Sequence, residues 1–127
     1  MVFVRQMYID SEAGQAALKQ VQKVIDEAQI DKVDVNGNIN YLNQPLDDLV
    51  RPLLTSLKLE HYGYKVWKIK SPISFYNSVG PGYIIPVLRT SGTNENLTPS
   101  SYIYHEGPIS VSPGLTCLVV GPPQRRG

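Results

Sequence analysis

One cysteine, Cys117, stands among 127 residues. A lone thiol excludes an intramolecular disulfide and any zinc site built on several cysteines. Neither sign of charge prevails: twelve Lys and Arg face eleven Asp and Glu, a formal charge of +1. That balance excludes a generally polycationic nucleic-acid binder. No apolar run approaches the ~20 residues of a membrane helix, and no secretory signal opens the sequence, so no membrane partner is expected. Internal repeats and low-complexity tracts are missing too. What is present is a 42% hydrophobic content, too high for a disordered chain. The length suffices for one buried core, since chains of about 150 residues hide roughly 70% of their unfolded surface.

Charge and punctuation are unevenly spread. Residues 1–62 carry six basic and nine acidic side chains, and residues 63–127 six basic and two acidic. Glycine and proline crowd the second half, from Gly80 to Pro123. The first half reads as helix-rich and acidic, the second as short strands cut by turns. Neither half is large enough for a comfortable core of its own. The expectation is therefore one α+β domain over 1–127: a helix-rich segment 1–62, a β-rich segment 63–120 and a tail 121–127. N-terminal helices and a hairpin would pack with a C-terminal antiparallel β-sandwich or partly open barrel.

Residues 2–9 are β-prone. Asp10 or Ser11 can cap a helix over Glu12–Gln29, whose Ala17, Leu18, Val21, Val24, Ile25 and Ala28 recur every three or four positions. Residues 33–41 suggest a hairpin. A three-residue loop, Asn36 to Asn38, would set Val35 opposite Ile39 and Val33 opposite Tyr41, gathering four apolar groups on one face. Asp34, Asn36 and Asn38 imitate a calcium loop, but Ile39 holds the sixth position and Pro45 the twelfth, where an acidic ligand is needed. A second helix is expected from Pro45, capped by Asn43 or Gln44, with Asp47 and Asp48 favoured by the helix dipole. Pro52 predicts a kink, or two short helices meeting near Arg51.

Lys65, Lys68 and Lys70 interleave with Tyr62, Tyr64 and Trp67. Basic residues among aromatics suit single-stranded nucleic acid, through phosphate attraction and base stacking. An edge strand guarded by lysines has the same composition. Arg125 and Arg126 form the only other basic cluster. The two histidines, His61 and His105, each adjoin a glutamate, yet strand neighbours point to opposite faces, so surface or interface histidines are expected and no metal or catalytic set is assembled. Cys117 lies in an apolar run and reads as a buried, inert thiol. Strands are expected at 73–77, 83–88, 101–104, 109–112 and 115–120, with Pro86 on an edge or at a bulge.

The stretch Phe75-Tyr76-Asn77-Ser78-Val79-Gly80-Pro81-Gly82-Tyr83-Ile84-Ile85-Pro86-Val87-Leu88, followed by Pro108-Ile109-Ser110-Val111-Ser112-Pro113-Gly114-Leu115-Thr116-Cys117-Leu118-Val119-Val120, resembles the β-sandwich modules of small virion proteins of tailed bacteriophages. A strand, a glycine turn and a second strand are followed by an I-x-V-x-P-G turn into the last strand. The resemblance implies a non-enzymatic virion component (decoration, fibre-base or head–tail joining), assembled in the host cytoplasm as a homo-oligomer. No functional residues transfer with it. From the residues themselves, self-association through β-edges is expected, with Tyr62, Tyr64, Trp67, Tyr76 and Tyr83 as contacts and no catalytic group, cofactor or metal. The alternative is a cytoplasmic single-stranded nucleic-acid module using Lys65, Trp67, Lys68 and Lys70.

Overall fold

Ser11 opens the first helix. Its Oγ accepts from the Gly14 amide at 3.0 Å, satisfying one of the free donors of the first turn. The computed structural model describes residues 3–43, 46–76, 80–90 and 97–122. In chain order these form β1 (Phe3–Tyr8), α1 (Glu12–Val24), a 3-10 turn (Ile25–Glu27), β2 (Ile30–Val33), β3 (Ile39–Tyr41) and α2 (Asp47–Ser56). There follow β4 (Gly63–Ile69), β5 (Ile73–Phe75), β6 (Gly82–Arg89), β7 (Ser101–Glu106), β8 (Ile109–Val111) and β9 (Leu115–Gly121). The chain is thus mixed α/β. Seven strands make one antiparallel sheet in the order β1-β7-β6-β9-β4-β3-β2, and β5 pairs with β8 in a second, two-stranded sheet.

Alternation along the strands divides the apolar residues into two clusters. Leu18, Val21 and Ile25 from the first helical segment and Val50, Leu53 and Leu54 from α2 share one cluster with Val66, Ile85, Leu118 and Val120 of the sheet. Positions of the other parity, Ile69, Ile84, Ile103, Leu115 and Cys117, join Val111 of β8, with Ile73, Phe75 and Ile109 against them. Each such side chain stabilises the fold by about 1.5–3 kcal/mol when fully buried. Both faces of the sheet therefore carry apolar packing, although its end strands are largely exposed.

Several expectations need correction. Helix α1 stops at Val24, and only the 3-10 turn continues it. The hairpin pairs Val33 with Ile39 and Ile30 with Tyr41, leaving Val35 100% exposed. Asp34 is the cause: its carboxylate accepts from the Asn36 and Asn38 amides at 2.8 and 2.9 Å and closes a longer loop. Buried Asn38 then binds the amides of Lys70 and Ser71 through Oδ1, which locks that loop to the end of β4. Helix α2 is a single helix with Pro52 inside it. Pro52 is exposed and removes one backbone bond near the middle of the helix, while Val50, Leu53 and Leu54 hold the buried side. Its cap position is Leu46, without a side-chain cap bond, and Asn43 donates instead to the Tyr64 carbonyl. Gln44 and Pro45, the other residues expected at that start, lie outside the described residues.

The Lys65–Lys70 segment is not an edge: β4 runs between β9 and β3. His105 is buried rather than superficial, with Nδ1 2.9 Å from the Gly107 carbonyl oxygen, while His61 is exposed. The five later strands occur near their expected places. Pro86 sits at a register shift of the β6–β9 pair, beyond the last residue of β6 that pairs with β7, so its missing donor interrupts no ladder on that side. Val2, Asn77 to Val79 and the end of the chain from Pro123, including Arg125 and Arg126, lie outside the described residues.

Candidate functional site

Antiparallel register builds an aromatic row across the sheet on the same face as the helices. Tyr83 of β6 lies opposite Tyr104 of β7, Tyr104 opposite Arg5 of β1, and Phe3 opposite Glu106. Opposite residues in an antiparallel pair share a face. Tyr62, in the turn before β4, meets Tyr83 edge to face at 5.8 Å, held there as Arg51 Nη1 donates to its carbonyl at 3.1 Å. Tyr83 meets Tyr104 at 5.4 Å and 67°, and Tyr104 meets Phe3 at 6.0 Å and 79°. Such edge-to-face pairs each contribute roughly 0.5–1.5 kcal/mol beyond their buried area. The row ends at the outer strand β1.

A shallow cleft of about 410 Å³ opens over this end of the row, lined by Phe3, Arg5, Met7, Tyr83, Tyr104 and Glu106. Its polar groups are internally engaged. The Tyr104 hydroxyl donates to Glu106 Oε2 at 2.7 Å, and the Arg5 guanidinium carbon lies 5.8 Å from the Phe3 centroid. The Glu106 contact, followed by burial, raises the Tyr104 phenol above its ordinary pKa; burial, then Tyr62, does the same for Tyr83. These phenols stay neutral near neutral pH, so they offer the cleft contact area and hydrogen bonds.

Beside the cleft runs the outer side of β1. Phe3, Val4 and Tyr8 are 48%, 47% and 62% exposed, Phe3 on the helix face and Val4 and Tyr8 on the other, and among the described residues β1 pairs only with β7. At the other end of the sheet, β2 exposes Ile30 and Val33, but its pairing with β3 is irregular between Ile30 and Lys32.

The expected contact residues separate. Tyr62 and Tyr83 belong to the row. Tyr64 is buried and offers no surface: its hydroxyl donates to Asp47 Oδ1 at 2.8 Å, with Arg51 over its ring. Trp67 lies half-buried on the opposite face against Phe75, and Tyr76 is exposed just past β5. Of the basic residues, Lys65 shares the Trp67 face, Lys68 takes the Tyr64 face, and Lys70 follows the end of β4. They do not form one stripe with Trp67. Sequence reasoning missed Phe3, Arg5, Tyr104 and Glu106. The signal was the alternation Phe3-Arg5-Met7 and Tyr102-Tyr104-Glu106, which becomes informative once β1 and β7 are known to pair.

Cys117 is fully buried, and burial pushes its thiol up to about 12. Among the described residues no group of three or more His, Cys, Asp or Glu is placed to hold a metal ion, and no helix is long and apolar enough to cross a membrane. No family model, curated protein or solved structure matches the chain.

Proposed function

We propose that the protein is a non-enzymatic structural component whose copies join through a sheet edge and the aromatic residues beside it. The observation that carries this reading is β1. It is the end strand of the seven-stranded sheet among the described residues, and its Phe3, Val4 and Tyr8 are about half exposed or more while Met7 packs against the core. Monomeric proteins usually blunt such an edge with prolines, bulges or several charges. Strand β1 has no proline, keeps regular register with β7 throughout, and carries Arg5 as its one charge. Backbone pairing supplies affinity in this mode of association, and neighbouring side chains supply specificity.

The resemblance of residues 75–120 to tailed-phage modules supports a virion component, a decoration, fibre-base or head–tail joining protein assembled in the host cytoplasm. The apolar cluster shared by the β5–β8 pair and the large sheet supports the sandwich form of the β-rich segment over a partly open barrel. Single-stranded nucleic acid on Lys65, Trp67, Lys68 and Lys70 has weaker support, since strand alternation sends Lys65 and Lys68 to opposite faces.

Size-exclusion chromatography with light scattering tests the proposal. The expected result at micromolar protein is a stable mass that is a multiple of 14.1 kDa, or co-migration with a larger particle. A monomer with no particle association overturns it. Fluorescence anisotropy with labelled single strands at two salt concentrations tests the nucleic-acid reading, which requires binding that weakens as salt rises.

A further inference from the structure

We propose that Asn36-Gly37 is a site of self-modification: Asn36 deamidates through a cyclic imide and reopens as isoaspartate, which releases the β2–β3 loop from the end of β4. The inference goes beyond self-association and is independent of it. Asparagine is a thermally labile residue, because the backbone nitrogen that follows it can attack its side-chain carbonyl. A following glycine shields that nitrogen least, having no Cβ. The sequence holds one Asn-Gly step, and it falls in the loop between β2 and β3. Asn36 is exposed, and its hydrogen bonds among the described residues use its main chain: its amide donates to Asp34 Oδ1 at 2.8 Å, and its carbonyl accepts from Ser71 Oγ at 2.7 Å. Its side-chain amide is left without a partner among those residues. Gly37 has a φ of +88°, and a Cβ there would meet nothing within 4 Å. The Gly37 amide donates to the Asp34 carbonyl at 3.1 Å, and this bond must open before attack. Exposed loops open locally at little free-energy cost.

The other asparagines among the described residues are held by tertiary bonds. Asn38 and Asn40 are buried and precede Ile39 and Tyr41, whose side chains crowd the attacking nitrogen. Their amide groups donate to Asp34 Oδ2 and to the Val66 carbonyl. Asn43 donates to the Tyr64 carbonyl.

The reaction needs only water. Solvent base takes the Gly37 amide proton, and the nitrogen attacks Asn36 Cγ. The N–Cγ bond forms, the Cγ–Nδ2 bond breaks, and ammonia leaves with a proton returned by solvent. Water then opens the imide at either carbonyl. Cleavage of the new bond gives an ordinary aspartate. Cleavage of the original peptide bond gives isoaspartate, whose main chain runs through Cβ and Cγ and is longer by one carbon. The carbonyl that Ser71 holds then leaves the main chain as part of a carboxylate. The inserted carbon also displaces Asn38 from Asp34, whose Oδ1 accepts the Asn38 amide at 2.9 Å. Asn38 Oδ1 holds the Lys70 and Ser71 amides at 2.7 and 2.8 Å, so these two amides lose their acceptor.

The experiment ages the full-length protein at mildly alkaline pH. Peptide mass spectrometry locates the conversion, and hydrogen exchange follows the Lys70 and Ser71 amides in fresh and aged samples. We expect Asn36 to convert at least about tenfold faster than Asn38, Asn40 or Asn43, each of which must first give up a tertiary bond. The fraction that carries isoaspartate should lose exchange protection at Lys70 and Ser71. Asn36→Gln, whose longer side chain closes the ring poorly, should stay unconverted and protected after the same ageing. Fresh Asn36→Asp carries the new charge without the added carbon and should keep its protection. Conversion at Asn36 no faster than at the other three overturns the site. Isoaspartate at position 36 with unchanged exchange at Lys70 and Ser71 overturns the release from β4. Equal loss of protection in fresh Asn36→Asp overturns the role of the added carbon and assigns the effect to charge.

Discussion

Tyr64 shows how much one side chain couples. Its hydroxyl donates to Asp47 Oδ1, the same oxygen that Arg51 Nε reaches at 3.1 Å, and the Arg51 guanidinium lies 5.2 Å from its ring centroid. Burial first, then the Asp47 carboxylate, raises this phenol well above its ordinary pKa. Burial likewise leads the rise at Tyr83 and Tyr102, and the Glu106 contact leads it at Tyr104. The sign of the linkage follows. The unfolded chain ionises its tyrosines near pH 10, and the folded chain keeps these protons longer. The stability they contribute is therefore complete below about pH 10 and is lost as pH rises beyond it. Urea unfolding should give a midpoint that falls above about pH 10. Tyr64→Phe should lose about 1 kcal/mol at neutral pH, since it leaves Asp47 one donor short, yet fall less steeply on the alkaline side. A variant as steep as the wild type would deny Tyr64 this role. In the sequence, Tyr64 looks like its neighbours Tyr62 and Trp67. Only the arrival of α2 over β4 separates a buried hydrogen-bonding tyrosine from an exposed one.

At the scale of elements, α1 and α2 meet closely at Gly14. A Cβ there would lie 2.7 Å from Ile9 Cγ2, 2.9 Å from Ser11 Oγ and 3.0 Å from Ser56 Oγ. Helix propensity alone favours alanine over glycine by about 1 kcal/mol. The contacts oppose it, because overpacking a close junction costs about 1–3 kcal/mol and here also displaces the cap hydroxyl of Ser11. Gly14→Ala should therefore lower the thermal midpoint by several degrees, measurable by circular dichroism; a rise would mean that the junction can open. The helices themselves were legible, since their apolar period survives any packing. The ends were less so. Pro52 argued for a kink or for two short helices, and one helix runs through it, while Asp34 redirected a hairpin whose apolar pattern favoured a shorter loop.

For the whole molecule, the proposed association through the β1 edge predicts a stability that depends on concentration. Association that binds only folded chains raises the thermal midpoint as protein concentration rises. The double variant Val4→Lys, Tyr8→Lys places charges along that edge, a natural guard against pairing. We expect it to elute as a monomer, with a thermal midpoint that no longer moves over an approximately tenfold range of concentration. If its mass and its midpoint still track concentration as the wild type's do, the copies join elsewhere than at β1.

Local chemistry, acting through near neighbours, determined much of this protein from its sequence. It set the Ser11 cap, the helical periods, the turn-bounded strands and the unreactive setting of Cys117, because caps, turns and periodicity need only a few adjacent residues. The tertiary structure alone decided which strands became interior and which became ends. That order placed β4 between β9 and β3, buried Tyr64 and His105, and drew Phe3, Tyr83 and Tyr104 into one row from distant parts of the chain. Strand order is a long-range property. It depends on which buried faces meet, and period-two alternation within a strand carries no information about the neighbour it will find.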